Sequence, residues 1–265
     1  MLLRETSDAG VAYYMSPLLR SAGVPHAFST RIGGVSPPPF DSLNLGNPNG
    51  CPIQDDYERI WENYRLLHRA AGCAAGRPCR VHQIHGSRVV RVHAGEEMDT
   101  SVYADALVSD DPSRVLSVRV ADCVPILLAR RDGLAVAAVH AGWRGTVAGV
   151  VPAALADLAG MAPARDFIAA IGPCIGFDAF EVGLEVLDEF RRVFGPEAPC
   201  RGAPNGKGYV DLRSAIASQL IALGMPAEQI DLTDRCTIRD REEFFSHRRD
   251  QGVTGRMAAI IQCAR

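Results

Sequence analysis

The chain has 265 residues, 47% of them hydrophobic and 22% charged, with a formal net charge of -3. That balance belongs to an ordinary globular protein large enough to bury most of its unfolded surface. It offers no global attraction to nucleic acid or anionic lipid, so neither is expected as a partner.

The N-terminus, Met1-Leu2-Leu3-Arg4-Glu5, meets charge too early for a secretory apolar segment. No uncharged apolar run reaches the roughly 18 residues of a membrane span. The eight cysteines contain no C-x-x-C pair, so they read as thiols of a reducing, cytoplasmic compartment. Lys207 is the only lysine and sits in Asn205-Gly206-Lys207-Gly208, which reads as a turn. Two stretches dense in glycine and proline, Gly33 to Pro48 and Gly195 to Gly208, read as surface loops on a single domain spanning residues 1–265.

Asp55 to Ala71 has the helical spacing Ile60, Tyr64, Leu67, Ala71. Val89 to His93 and Val115 to Val120 alternate like strands; in the second, Val118 and Val120 share a face opposite Ser117 and Arg119. Leu134 to Val139 is a continuous apolar run of strand length, as expected of a strand covered on both faces. Val147 to Leu158 reads as a helix with Pro152 near its start. Phe167 to Ile171 is a further buried strand, and Gly183 to Phe194 an amphipathic helix. Asp211 caps a helix running to about Leu223, and Met257 to Ile261 closes as a strand. The elements intermix without a regular βαβ rhythm, which predicts a mixed α/β fold with helices flanking a central sheet or sheets.

Reactive residues gather beside apolar strands in three places: His82-Gln83-Ile84-His85-Gly86, Ala121-Asp122-Cys123-Val124-Pro125 and His140-Ala141-Gly142-Trp143-Arg144-Gly145-Thr146. Burying such groups is costly unless they are paired or bound. His85, Cys123 and His140 supply two imidazoles and a thiolate, favoured ligands of zinc and copper. Three protein ligands leave a fourth tetrahedral position open, the pattern of a catalytic rather than a structural site. Asp122 could orient a ligand histidine or move a proton. Two other readings stand beside the metal: Cys123 as a nucleophile with His140 as its base, or core and loop residues satisfied by backbone hydrogen bonds. Arg144 precedes Thr146, a plausible N-cap, and that turn would suit phosphate or carboxylate. Gly172-Pro173-Cys174-Ile175-Gly176 is a second tight turn. Phe244-Phe245-Ser246-His247-Arg248-Arg249-Asp250 combines aromatics with guanidinium groups that could stack on a ring, hold an anion or form surface ion pairs.

These three stretches, with Phe28 to Ser36, Asn44-Leu45-Gly46, Gly172 to Gly176, Phe245 to Arg248 and Gly255-Arg256, resemble the YfiH family of laccase-domain proteins, also described as multicopper polyphenol oxidases and as purine nucleoside phosphorylases. The match runs from about Phe28 to the C-terminus, with no departure at a motif position. It implies one domain of mixed α and β layers like the cytotoxic necrotizing factor fold, and a monomer. It implies zinc, with copper as the alternative, on His85, Cys123 and His140, and Asp122 in the catalytic group. Arg31, Asn44, Gln83, Arg144, Cys174 and Arg248 are the expected substrate-binding residues, with Arg31 and Arg144 as candidates for phosphate. The implied activity is phosphorolysis of adenosine, inosine, guanosine and methylthioadenosine, with adenosine deamination besides. Copper-dependent polyphenol oxidation, or cysteine-dependent editing of a peptidoglycan precursor, is the alternative. Seven histidines, of which His26, His68 and His247 lie outside the main cluster in sequence, are a poor supply for several copper ions.

Overall fold

The computed structural model describes residues 1–74, 76–95, 99–160, 162–204 and 206–264. In chain order the elements are β1 (Leu3–Thr6), β2 (Ala12–Met15), α1 (Pro17–Ser21), β3 (His26–Ser29), α2 (Tyr57–Ala71), β4 (Val89–Arg91), β5 (Ala106–Ser109) and β6 (Val115–Val120). They continue as β7 (Val124–Arg130), β8 (Val136–Ala141), α3 (Trp143–Val147), α4 (Val150–Ala159), β9 (Phe167–Ile171), β10 (Glu181–Gly183) and α5 (Leu184–Phe194). The last are β11 (Cys200–Gly202), β12 (Lys207–Val210), α6 (Leu212–Ala222), β13 (Ile230–Leu232) and β14 (Met257–Gln262).

Two sheets stack face to face. One has the order β1-β2-β3-β14-β6 and is antiparallel throughout. The other has the order β13-β9-β7-β8-β5-β4, with parallel pairs only at its two edges. Strand alternation shows why both faces of the second sheet are apolar. Leu107, Leu127, Val136 and Ala138 meet Val118, Val120, Ala259 and Ile261 of the first sheet. Their neighbours Val108, Ile126, Leu128 and Val139 point the other way, onto α4, α5 and α6. On the far face of the first sheet, α2 lays Ile60, Tyr64 and Leu67 against Ala27, Ala258 and Ile260. The result is a helix–sheet–sheet–helix stack. A small sheet, β10-β12-β11, extends the outer helical layer.

Local signals explain the element ends. The helix expected from Asp55 begins at Tyr57: Asp56 caps α2, its carboxylate accepting from the Glu58 N–H, and Gly72 ends the helix in the left-handed region at φ 69°. The helix expected over Val147 to Leu158 is two helices broken at Gly149, φ 77°, and Pro152 falls in the first turn of α4, where its missing N–H is harmless. The strand expected from Leu134 begins at Val136, because Asp132 and Gly133 turn the chain and leave Leu134 exposed. Lys207 opens β12 and pairs with Glu181 at 2.6 Å, while Asn205 lies outside the described residues.

The segment Gly33 to Pro48 corrects the surface-loop expectation. Phe40, Leu43, Asn44 and Leu45 are buried. The Asn44 carboxamide accepts from the Gly46 and Arg256 N–H groups and donates to Asp55, so this irregular chain is tied down by side-chain hydrogen bonds instead of a ladder. Among the described residues no helix is long and apolar enough to cross a membrane.

Leu127, fully buried between the two sheets, should behave as a rigid core position. Leu127→Ala is expected to cost about 2–5 kcal/mol in urea unfolding, for lost burial and the cavity left behind. A loss well below about 1 kcal/mol would show that the sheets close over the gap.

Candidate metal centre

Cys123, His140 and Asp105 are brought together by the sheet register. The chain leaves the first sheet at Val120 and enters the second at Val124, so Cys123 sits on the crossover between them. Val124 pairs with Ala141 and Pro125 with His140, which puts Cys123 beside the end of β8. Ala106 pairs with Val139, so Asp105 stands one residue outside β5 next to His140.

The Asp105 carboxylate is completely buried and serves four donors. It accepts the backbone N–H groups of Ile84 at 3.2 Å, His85 at 2.9 Å and Gly86 at 2.7 Å. His140 Nδ1–H donates to it at 2.8 Å. Burial alone would raise this carboxyl, but His140 and the backbone donors outweigh it and hold it below the usual range. One side chain therefore fixes the His85 loop and the ring of His140 together.

The same loop holds His85 at φ 61°, and the crossover holds Asp122 at φ 98°. Left-handed non-glycine backbone costs about 1–3 kcal/mol and persists only where neighbours over-determine it. At His85 the constraint is Asp105. At Asp122 the carboxylate accepts the Thr237 hydroxyl at 2.6 Å and the Arg248 N–H at 2.7 Å, and its carbonyl accepts the Ile175 N–H. Asp122 thus ties the crossover to the C-terminal loop, whereas Asp105, which the sequence reading missed, orients His140. An acidic residue directly before the apolar run Ala106 to Ser109 was the available signal.

His85, Cys123 and His140 each offer one ligand atom within 4.8 Å of the other two. Cys123 Sγ lies 3.9 Å from His85 Nδ1, and the two rings meet edge to face at 4.9 Å. Burial opposes a charge on Cys123, but His140 and His85 outweigh it and bring the thiol down to about 6. Burial would likewise lower His140, yet the facing thiolate and Asp105 raise it. Two imidazoles, a readily ionised thiol and a carboxylate behind one histidine form a donor set suited to zinc or copper. Gly142 keeps this space open: a Cβ there would stand 2.6 Å from His85 Nδ1 and 3.2 Å from Cys123 Sγ.

The cluster opens into a cavity of about 410 Å³. One wall is apolar, with Trp143, Ile175, Phe180 and Leu212. The guanidinium groups of Arg119, Arg144, Arg248 and Arg256 also line it, with Gln83 and His247. Arg144 lies over the Trp143 ring at 4.4 Å and is exposed. Arg248 stands over Phe180 at 5.5 Å and donates to the Glu181 carbonyl. Gln83 is bonded through both ends of its amide to the backbone of Arg119. Thr146 is not the expected N-cap: α3 begins at Trp143 with Gly142 before it, and the Thr146 hydroxyl donates to the Gly142 carbonyl.

Three expected substrate residues lie elsewhere. Arg31 pairs with Asp41 at 3.0 Å in a separate polar groove. Asn44 is the buried brace described above, and Cys174 is buried with its Sγ beside Arg213. His26 and His68 are buried structural groups, while His247 reaches the cavity that holds the cluster.

Residues 25–264 match the family described as multi-copper polyphenol oxidoreductase laccase. The purine nucleoside phosphorylase YfiH of Escherichia coli is 41% identical over 239 residues, 90% of this chain and 93% of that protein. The purine nucleoside phosphorylase YlmD of Geobacillus stearothermophilus is 35% identical over 91% of this chain and 90% of its own length. Its crystal structure superposes with a TM-score of 0.87 at 32% identity, covering all of both chains. A crystal structure of the Bacillus licheniformis protein YfiH gives a TM-score of 0.85 at 29% identity, covering 95% of this chain and 96% of its own. The chain belongs to this laccase-domain, or YfiH, family.

Gly142→Ala should abolish tight metal binding while the fold survives, because the added methyl occupies the space beside two donors and Gly142 lies outside the left-handed region. Metal content after gel filtration, with far-UV circular dichroism as the fold control, checks this; a variant that keeps full metal would place the ion elsewhere.

Proposed function

We propose that this chain is a metal-dependent purine nucleoside phosphorylase acting as one catalytic domain, with His85, Cys123 and His140 as its metal ligands and zinc as the resident ion. The observation that carries the reading is the His–Cys–His cluster opening into a cavity with an apolar wall and four guanidinium groups. The names of relatives at 35–42% identity supply the reaction.

When bound, the ion supplies a Lewis acid at the cavity wall. The chain's own residues do the rest. Trp143 and Phe180 offer ring faces, and Ile175 and Leu212 apolar contacts, to a purine. Gln83 and Arg248 are polar groups of the same cavity, both held by backbone hydrogen bonds before any substrate arrives. The cationic side of the cavity suits phosphate. Asp122, already accepting two hydrogen bonds, positions the crossover and Arg248 and so supports the catalytic group. Asp105 holds His140 in the tautomer whose Nε2 is free to bind metal. Adenosine, inosine, guanosine and methylthioadenosine are the substrate class, and deamination of adenosine a further activity of the same site.

The family description favours a second reading, copper-dependent oxidation of phenols. Among the described residues one three-donor cluster is present, which suits a single ion better than several coppers.

Adenosine incubated with the purified protein should give adenine and ribose 1-phosphate only when phosphate is present. Cys123→Ser should lose metal and activity together, since a serine hydroxyl is a much poorer ligand than a thiolate. Turnover that needs oxygen and not phosphate would support the oxidase; full metal with no activity would make Cys123 a nucleophile.

A further inference from the structure

A second cavity, about 200 Å³, adjoins the first, sharing Asn47, Asn49, His82 and Arg119 with it. Its remaining lining includes Arg80, Gln54, Tyr57 and Ile60, and no carboxylate. Arg119 projects from the penultimate position of β6, on the face opposite the inter-sheet core, and its stem runs along Gly46, where a Cβ would stand 2.8 Å from its Cδ. Its backbone is clamped at both N–H and carbonyl by Gln83. Among the described residues its guanidinium has neither an ion-pair nor a hydrogen-bond partner. Arg80 packs over Trp61 at 4.4 Å, and its Nε is buried without a hydrogen-bond partner. Both guanidinium groups line the smaller cavity, and burial first, then a neighbouring cation, disfavours the charge on Arg119 and on Arg256. Three other half-buried arginines each have a carboxylate partner: Arg31 pairs with Asp41, Arg91 with Asp157 and Arg249 with Asp250. Uncompensated guanidinium groups lining a cavity are costly unless an anion occupies it.

We infer that Arg119, at the junction of the two cavities, and Arg80, in the smaller one, form the subsite for a phosphoryl dianion, with Arg119 as its principal ligand and the exposed Arg144 at most accessory. The assignment rests on the phosphorylase reading. The anion is inorganic phosphate, the co-substrate, or the 5′-phosphate of a nucleoside monophosphate. In the first case one oxygen of hydrogenphosphate forms the bond to ribose C1′ as the C1′–N9 bond breaks. The electron pair leaves with the purine, and the proton of hydrogenphosphate ends on it. Arg119 reaches both cavities, so an anion held there faces the space into which the metal cluster opens.

The test uses the zinc-loaded protein with Arg119→Met, which keeps the stem and removes the charge, and Arg119→Lys. Zinc content is checked in each. Adenosine phosphorolysis is followed against phosphate concentration, and adenosine 5′-monophosphate is titrated as an inhibitor. A lost charge-assisted contact corresponds to a change of about 10-fold or more. Arg119→Met should raise the KM for phosphate by about that much, with the KM for adenosine little changed, and Lys should restore part of it. A rise confined to the inhibition constant of the monophosphate would assign the subsite to a 5′-phosphate. No change in either constant, with zinc retained, overturns the inference. If the unmodified protein shows no phosphorolysis, the functional reading fails separately. Calorimetric titration with inorganic phosphate and with adenosine 5′-monophosphate, comparing unmodified protein and Arg119→Met, then decides the subsite: anion binding lost with the charge supports it, and equal or absent binding in both proteins refutes it.

Discussion

The Asp105 carboxylate is the constraint on which the site depends. It is buried, yet it stays ionised because three backbone N–H groups and an imidazole converge on it. Remove those donors and a charge in that position would cost several kcal/mol. Remove the charge and the His85 loop loses the acceptor that holds it in the left-handed region. The His140 ring would lose the partner that fixes its tautomer. Because its folded-state carboxyl is held low, this contribution is present above the ordinary carboxylate range and is lost as pH falls through the folded value.

The sheet stack supplies the frame around that charge. Cys123 reaches the cluster because the chain changes sheets between β6 and β7, and His140 because β8 runs antiparallel to β7 and ends there. The ends of β5, β7 and β8 converge at one edge of the inter-sheet core. There the apolar layers give way to Asp105, His140 and the crossover. The net charge of -3 conceals a local reversal: four guanidinium groups face one cavity with Asp122 as its single lining carboxylate among the described residues. A small negative net charge does not speak to a small anion held inside.

Much of this was readable in the sequence where side-chain period and burial agree. Val115 to Val120 and Phe167 to Ile171 are strands to the residue, and α5 buries Leu187 and Phe190 of its apolar stripe while Leu184 is exposed. The short edge strands β1, β10 and β13 have too few residues to show a period, whereas β4 lies within the alternating run Val89 to His93 and ends at Arg91. The segment from Gly33 to Pro48 looked like surface because its glycines and prolines forbid regular structure. They do not forbid burial once Asn44 and Asn63 satisfy the backbone. The His–Cys–His grouping was legible because such residues are rare inside apolar sequence. Asp105 was not, since a lone aspartate before a strand is also what a turn requires. The motifs marking the family mix two kinds of residue: Gln83, Arg144 and Arg248 line the cavity, whereas Arg31, Asn44 and Cys174 do not. A one-dimensional pattern cannot separate them, because contact with the cavity is decided by which face of a strand or loop turns inward.

The most direct test of this account is the zinc affinity of Asp105→Asn, at a buried residue that does not line the cavity. The amide keeps the size of the carboxylate but replaces one acceptor oxygen with a donor, facing N–H groups that need an acceptor. The account predicts zinc binding weakened by about 10–100-fold, as for other carboxylates behind a ligand histidine, in a protein whose circular dichroism is unchanged. Zinc affinity equal to that of the unmodified protein would contradict it, and would mean that the ligands are held in place by the sheets alone.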